Sequence, residues 1–66
     1  MKEYVGLADD PNRHRREVGD PSDWWQTDDR FQSRDEALKW RRTLELAGRV
    51  VDREDLGWGT GYTYSK

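Results

Sequence analysis

Apolar residues recur at helical spacing in one long stretch of this chain, Ser33 to Gly48, SRDEALKWRRTLELAG. Ala37, Trp40, Leu44 and Ala47 share one face at a period of about 3.6 residues. Both ends are marked as well. Ser33 with Glu36 three residues on forms a capping box, and Asp35 puts negative charge in the first turn, where the helix dipole favours it. Gly48 is a natural stop just past the last turn. The spacing therefore predicts a helix over 33–48. Asp35–Lys39 and Glu45–Arg49 are i,i+4 pairs worth about a few tenths of a kcal/mol each.

Elsewhere the period is two. In Glu3 to Ala8, Val5 and Leu7 point to one face while Tyr4, Gly6 and Ala8 point to the other, which predicts a strand. Asp10 as N-cap and Pro11 at the first helical position then open a second helix, 11–18, ended by Gly19-Asp20-Pro21. Beyond Val18 it has almost no apolar face, so it is expected on the surface, held by its ends. Trp24 to Phe31 reads as a short, irregular strand interrupted by Asp28-Asp29. Trp24 and Trp25 cannot both face inward there, and one is expected exposed. Val50 and Val51 precede a polar connection, Arg53-Glu54-Asp55. In the tail, GWGTGYTY from Gly57 to Tyr64, Trp58, Thr60, Tyr62 and Tyr64 fall on one face of a strand and Gly57, Gly59 and Gly61 on the other. The bare glycines suit close packing by another element's backbone. A phosphate loop is disfavoured, because the spacing is wrong and no helix follows. The fold predicted is α+β: one domain over 1–66, a small, mostly antiparallel sheet of about three strands packed on the 33–48 helix, with the 11–18 helix at its edge.

Composition changes this picture in one respect. There is no Ile, Leu, Val and Phe together number ten, and 39% of residues are charged, a balance that by itself points toward disorder. Four Trp and three Tyr argue for a folded domain with a small aromatic core instead. With no cysteine there is no disulfide or thiolate zinc site. No apolar run is long enough to span a membrane and nothing resembles a signal peptide, so the cytoplasm is the expected location. Net charge is −2, which writes no large nucleic-acid footprint into the total. Arg outnumbers Lys nine to three and Asp outnumbers Glu nine to five, a usage that resembles proteins of salt-adapted organisms.

The order of the pieces resembles a known family. Tyr4-Val5-Gly6, then Asp10-Pro11-Asn12-Arg13-His14 opening a basic helix, then Phe31 shortly before Glu36-Ala37, is similar to the GIY-YIG nucleases over roughly Tyr4 to Ala47. The resemblance implies a second signature strand at Tyr4, a helix carrying a catalytic Arg, and a later helix presenting a metal-binding Glu. The departures are pointed. The first signature strand, Gly-Ile-Tyr, has no room, because only three residues precede Tyr4. The catalytic Arg position holds His14, flanked by Arg13 and Arg15. The usual His four residues on is Val18, and the metal-binding Glu position is Arg41, whose charge repels a divalent ion. The tail segment Gly61-Tyr62-Thr63-Tyr64 is similar in pattern to Gly-Ile-Tyr. Pairing of that tail with residues 4–8 would supply the missing strand in a circularly permuted order.

What the resemblance implies is a non-catalytic GIY-YIG-like module that binds nucleic acid or a protein partner through a basic patch. The candidate residues are Arg13, His14, Arg15 and Arg16, with Arg41 and Arg42 expected to face them across the sheet, and Tyr4 and Tyr62. Read without the family, those arginines form a solvated helix face, and Tyr4, Tyr62 and Tyr64 are core or core-edge residues. His14 is the only histidine, so it reads as an exposed surface side chain rather than a general base or metal ligand. No metal and no cofactor is expected. The competing readings are a divergent phosphodiesterase using Tyr4, His14 and Arg15, and an interaction domain with no nucleic-acid role. No oligomeric state follows from the sequence.

Overall fold

A computed structural model describes all residues, Met1 to Lys66. The elements in chain order are β1 (Glu3–Ala8), α1 (Pro11–Glu17), β2 (Trp25–Gln26), α2 (Arg34–Leu46), β3 (Val50–Val51) and β4 (Thr60–Ser65). The strands form one sheet in the order β2-β4-β1-β3, with β4 antiparallel to both β1 and β2. The α+β architecture is as expected, but the sheet has four strands and is mixed. Val50 and Val51 pair in parallel with Tyr4 and Val5, because the chain leaves α2 at the start of β1 and runs alongside it.

Local chemistry sets both helices. Ser33 Oγ accepts the Glu36 N–H, as the capping box requires. At the other end Gly48 has φ 108°, its N–H bonds to the Glu45 carbonyl, and the Arg49 N–H bonds to the Leu44 carbonyl, which is a Schellman motif. The same device closes α1: Gly19 bonds back to Arg16 and Asp20 to Arg15. Of the predicted α2 face, Ala37 is buried and Trp40 and Leu44 are half-buried, whereas Ala47 is exposed. Ala47 is the C-cap, and the chain has already turned away from the sheet there. The Glu45–Arg49 pair does not form, since Arg49 lies beyond the turn and donates to the Tyr4 carbonyl, while Glu45 pairs with Arg41.

The helices lie on opposite sides of the sheet. Gly61 in β4 faces α2, where a Cβ would collide with the Trp40 indole, while the neighbouring Tyr62 faces α1 and packs near His14. The tail glycines thus make room for side chains rather than for another backbone: Trp40 over Gly61, Arg30 over Gly59, and the Asp9 carboxylate against Gly57. That carboxylate also accepts the Trp58 and Gly59 N–H groups, which holds 57–59 as a loop and delays β4 to Thr60. The irregular stretch 24–31 keeps only two strand residues. Thr27 and Phe31 still donate to Gly61 and Gly59, and Asp28-Asp29 bulges between them. Trp24 and Trp25 part to opposite faces, and Trp25 is the exposed one, at 52%.

β1 and β4 are the backbone of the sheet, in register from Glu3 opposite Ser65 to Ala8 opposite Thr60. The pairing extends past the strands: the Lys2 and Lys66 backbones exchange two 2.9 Å hydrogen bonds, so the two ends of the chain meet.

Candidate functional site

On the α1 side of the sheet the tyrosines form a layer with Trp24. Trp24 stacks on Tyr62 with ring centroids 4.8 Å apart and planes 7° apart, and Tyr64 stacks on Tyr4, its direct cross-strand partner, at 5.2 Å. Such pairs contribute about 0.5–1.5 kcal/mol beyond their buried area, which a core this poor in aliphatics needs. Tyr62 is fully buried because Gly6, directly opposite, has no side chain; a Cβ there would strike the phenol ring. The bare glycine lets the Tyr62 hydroxyl reach Asp52.

Asp52 joins three elements. The residue follows β3, where its own N–H donates to the Val5 carbonyl at 3.0 Å. Its Oδ2 accepts the Tyr62 hydroxyl at 2.8 Å and lies 2.7 Å from His14 Nε2. A carboxylate only accepts, so His14 Nε2 carries the proton. His14 is therefore not the exposed side chain expected: it is 4% exposed and, with Pro11, is one of two buried residues in α1. Its other nitrogen, Nδ1, is buried without a hydrogen-bond partner, 3.7 Å from Glu17 Oε2.

An open cleft of about 470 Å³ lies beside the ring, between α1 and the connection after β3. Arg13, His14, Glu17, Arg53 and Asp55 line it with Asp9 and Asp10. Its arginines already have partners. Arg13 Nε is 3.2 Å from Glu17 Oε1, and Arg53 forks onto both oxygens of Asp55 at 2.9 and 2.7 Å. The Arg53 contact holds the exposed Asp55 carboxyl below the usual carboxylate range.

Of the candidate residues, Tyr62 and His14 pack against each other, Tyr4 joins their layer only through Tyr64, and Arg13 lines the cleft beside His14. Arg15 and Arg16 are on the exposed side of α1, with Arg15 paired to Asp20. Arg41 and Arg42 do not join them, because α2 packs on the other face of the sheet. Arg41 is 17% exposed, its Nε 3.2 Å from Glu45 and its Nη2 3.6 Å from Glu54. The two groups of arginines therefore lie on opposite faces of the sheet. Asp52, Trp24, Tyr64 and Arg53 went unselected in the sequence. One signal for His14 was present: Pro11, His14 and Val18 follow a helical stripe, and all three are buried or half-buried.

Burial, with the nearby Asp52 carboxylate, pushes the Tyr62 and Tyr64 hydroxyls well above the usual phenol range. In the unfolded chain these phenols ionise near pH 10. Folding therefore favours their protonated form, a contribution fully present below about pH 10 and lost as pH rises further. In an alkaline titration the tyrosinate absorbance of Tyr62 and Tyr64 is expected to appear only together with loss of near-UV circular dichroism. Ionisation of Tyr62 and Tyr64 ahead of unfolding would contradict this.

No protein-family model, curated protein or solved structure matches this chain.

Proposed function

We propose that this chain is a GIY-YIG-like module in circularly permuted order that binds nucleic acid without metal-dependent strand cleavage. The observation that carries this reading is the antiparallel pairing of β4 with β1, which sets Tyr64 of Gly61-Tyr62-Thr63-Tyr64 opposite Tyr4 of Tyr4-Val5-Gly6. Joining the ends where Lys66 meets Lys2 would place the first pattern directly before the second, the family's own order. Arg41, at the position of the family's metal-binding Glu, is ion-paired with Glu45 and Glu54, which supports a module that binds rather than cuts. The contact surface is the exposed side of α1, with Arg13, Arg15 and Arg16.

Binding through three arginines is weak and salt-sensitive, with a log–log salt slope of about −2 on single strands. The test is a titration of the labelled protein with short DNA and RNA at two salt concentrations, beside incubation of the same strands with Mg²⁺ or Mn²⁺. Amide shifts at Arg13–Arg16 that collapse at the higher salt, with the strands intact, are the expected result. Cleavage that disappears in Tyr4→Phe would establish the phosphodiesterase reading instead. A second reading, a protein-interaction domain, draws support from the pairing of Arg13 and Arg15 with Glu17 and Asp20 and from exposed Trp25. Absence of shifts along α1 even at low salt favours it.

A further inference from the structure

We propose that the face of β2 carrying Trp25 is a docking surface for a basic segment of a partner protein, bound in extended conformation along the free edge of the sheet. The surface lies on the α2 side, across the sheet from the α1 arginines, and the inference is independent of the nucleic-acid reading. Trp25 is its centre. Of the four large apolar side chains that are exposed, it is the only aromatic one, at 52%, whereas the other three tryptophans are half-buried. The ring is not loose. It stacks on Trp40 with centroids 6.3 Å apart and planes 21° apart, and Phe31 packs on the same indole at 5.6 Å. A partner therefore meets an indole already held in place, which has little freedom left to lose, and tryptophans of this kind are the usual anchors of protein interfaces.

The unpaired charge beside this ring is negative. Asp28 and Asp29 bulge from the strand just after Thr27, with Asp28 at most about 10 Å along the chain from Trp25. Glu36 stands one turn before Trp40 on α2. All three are exposed, and none takes part in an ion pair. The nearby cations are directed elsewhere. Arg30 turns back onto Asp9, Arg34 faces a cleft beside Leu7 and Trp58, and Lys39 and Arg42 line a depression on α2 that excludes Trp40. A nucleic-acid strand is repelled here. A lysine or arginine is attracted twice, by the carboxylates and by the face of the indole turned away from Trp40.

The backbone favours an extended occupant. β2 is an edge strand, bonded to β4 on one side only. Thr27 donates to Gly61 across that side, so alternation along an antiparallel strand turns the Gln26 N–H and C=O to the open side. A partner strand finds main-chain hydrogen bonds there. Its alternate side chains, about 7 Å apart, then reach from Trp25 toward the Asp28-Asp29 bulge.

The probe is a short peptide alternating arginine with valine, set against the same peptide with glutamate in place of arginine and against a short oligothymidine. Each is titrated into the full chain, followed by ¹H–¹⁵N correlations that include the four tryptophan indoles. The expected result is a shift of the Trp25 indole and of the amides from Gln26 to Phe31 with the basic peptide alone, weakening as salt rises. Trp25→Leu, with the amides of α1 and β1 unmoved, lowers the affinity about thirtyfold, the loss usual for a tryptophan anchor. Asp28→Asn together with Asp29→Asn lowers it about three- to tenfold and flattens the salt dependence. Four results would each overturn the proposal: an unmoved Trp25 indole at millimolar basic peptide, equal binding of the glutamate peptide, movement of that indole by oligothymidine instead, or self-association of the free chain through Trp25.

Discussion

Tyr62→Ala removes a large share of the folding stability of this domain and moves its urea midpoint far below that of the native chain. Truncating a fully buried aromatic costs about 3–5 kcal/mol through lost transfer energy and the cavity that remains. A domain of 66 residues has only roughly 3–10 kcal/mol of stability in all. The cavity here cannot collapse easily. One wall is the bare backbone of Gly6, another is the Trp24 ring stacked 4.8 Å away, and the His14 ring closes a third side. The substitution also removes a hydroxyl that donates to Asp52. Tyr62→Phe separates the two effects, since it keeps the ring and deletes only that bond, at about 1.5–3 kcal/mol for a bond to a charged acceptor. Urea unfolding followed by near-UV circular dichroism, which reads the Trp24–Tyr62 stack, checks both. A Tyr62→Ala midpoint close to that of the native chain would show that the aromatic layer is not the core.

Asp52→Ala detaches α1 from the sheet while much of the remaining structure persists. The change leaves the Tyr62 hydroxyl and the His14 Nε2–H without an acceptor, and an orphaned buried donor costs about 1–3 kcal/mol. α1 has little else to hold it. Only Pro11 and His14 are buried in it, and its arginines face solvent or their own acids. Amide exchange should therefore accelerate across Pro11–Glu17 far more than across Arg34–Leu46, and the urea midpoint should fall by an amount equivalent to about 2–4 kcal/mol. Asp52→Asn keeps one acceptor oxygen and costs less. Equal exchange rates in the two helices would mean that the caps of α1, not its histidine, anchor it.

These two residues show where sequence reading reaches and where it stops. Tyr62 could be found because the tail alternates tyrosine or threonine with glycine at a period of two, and that alternation carries over directly into which face each side chain occupies. Asp52 could not be found. It sits in a polar run and gains its role only when β3 lies parallel to β1, which brings it to a histidine 38 positions away. The misreading of His14 as exposed has the same origin. The stripe Pro11–His14–Val18 was visible, but a polar residue on it becomes buried only if a partner with matching hydrogen bonds arrives from elsewhere.

The sequence by itself determined the capped helices, the β1 and β4 patterns, the aromatic substitute for an aliphatic core and the α+β class. Each of these depends on interactions within about one turn or on a local period. Only the tertiary structure decided that four strands pair in the order β2-β4-β1-β3, that α1 and α2 take opposite faces, and that Arg41 is thereby parted from Arg13–Arg16. Once the strand order is set, handedness decides the faces: β1, β2 and β3 are parallel, and the right-handed crossovers from β1 to β2 and from β2 to β3 run in opposite directions across the sheet, which puts α1 and α2 on opposite sides. Gly61 then admits Trp40 on one side and Gly6 admits Tyr62 on the other.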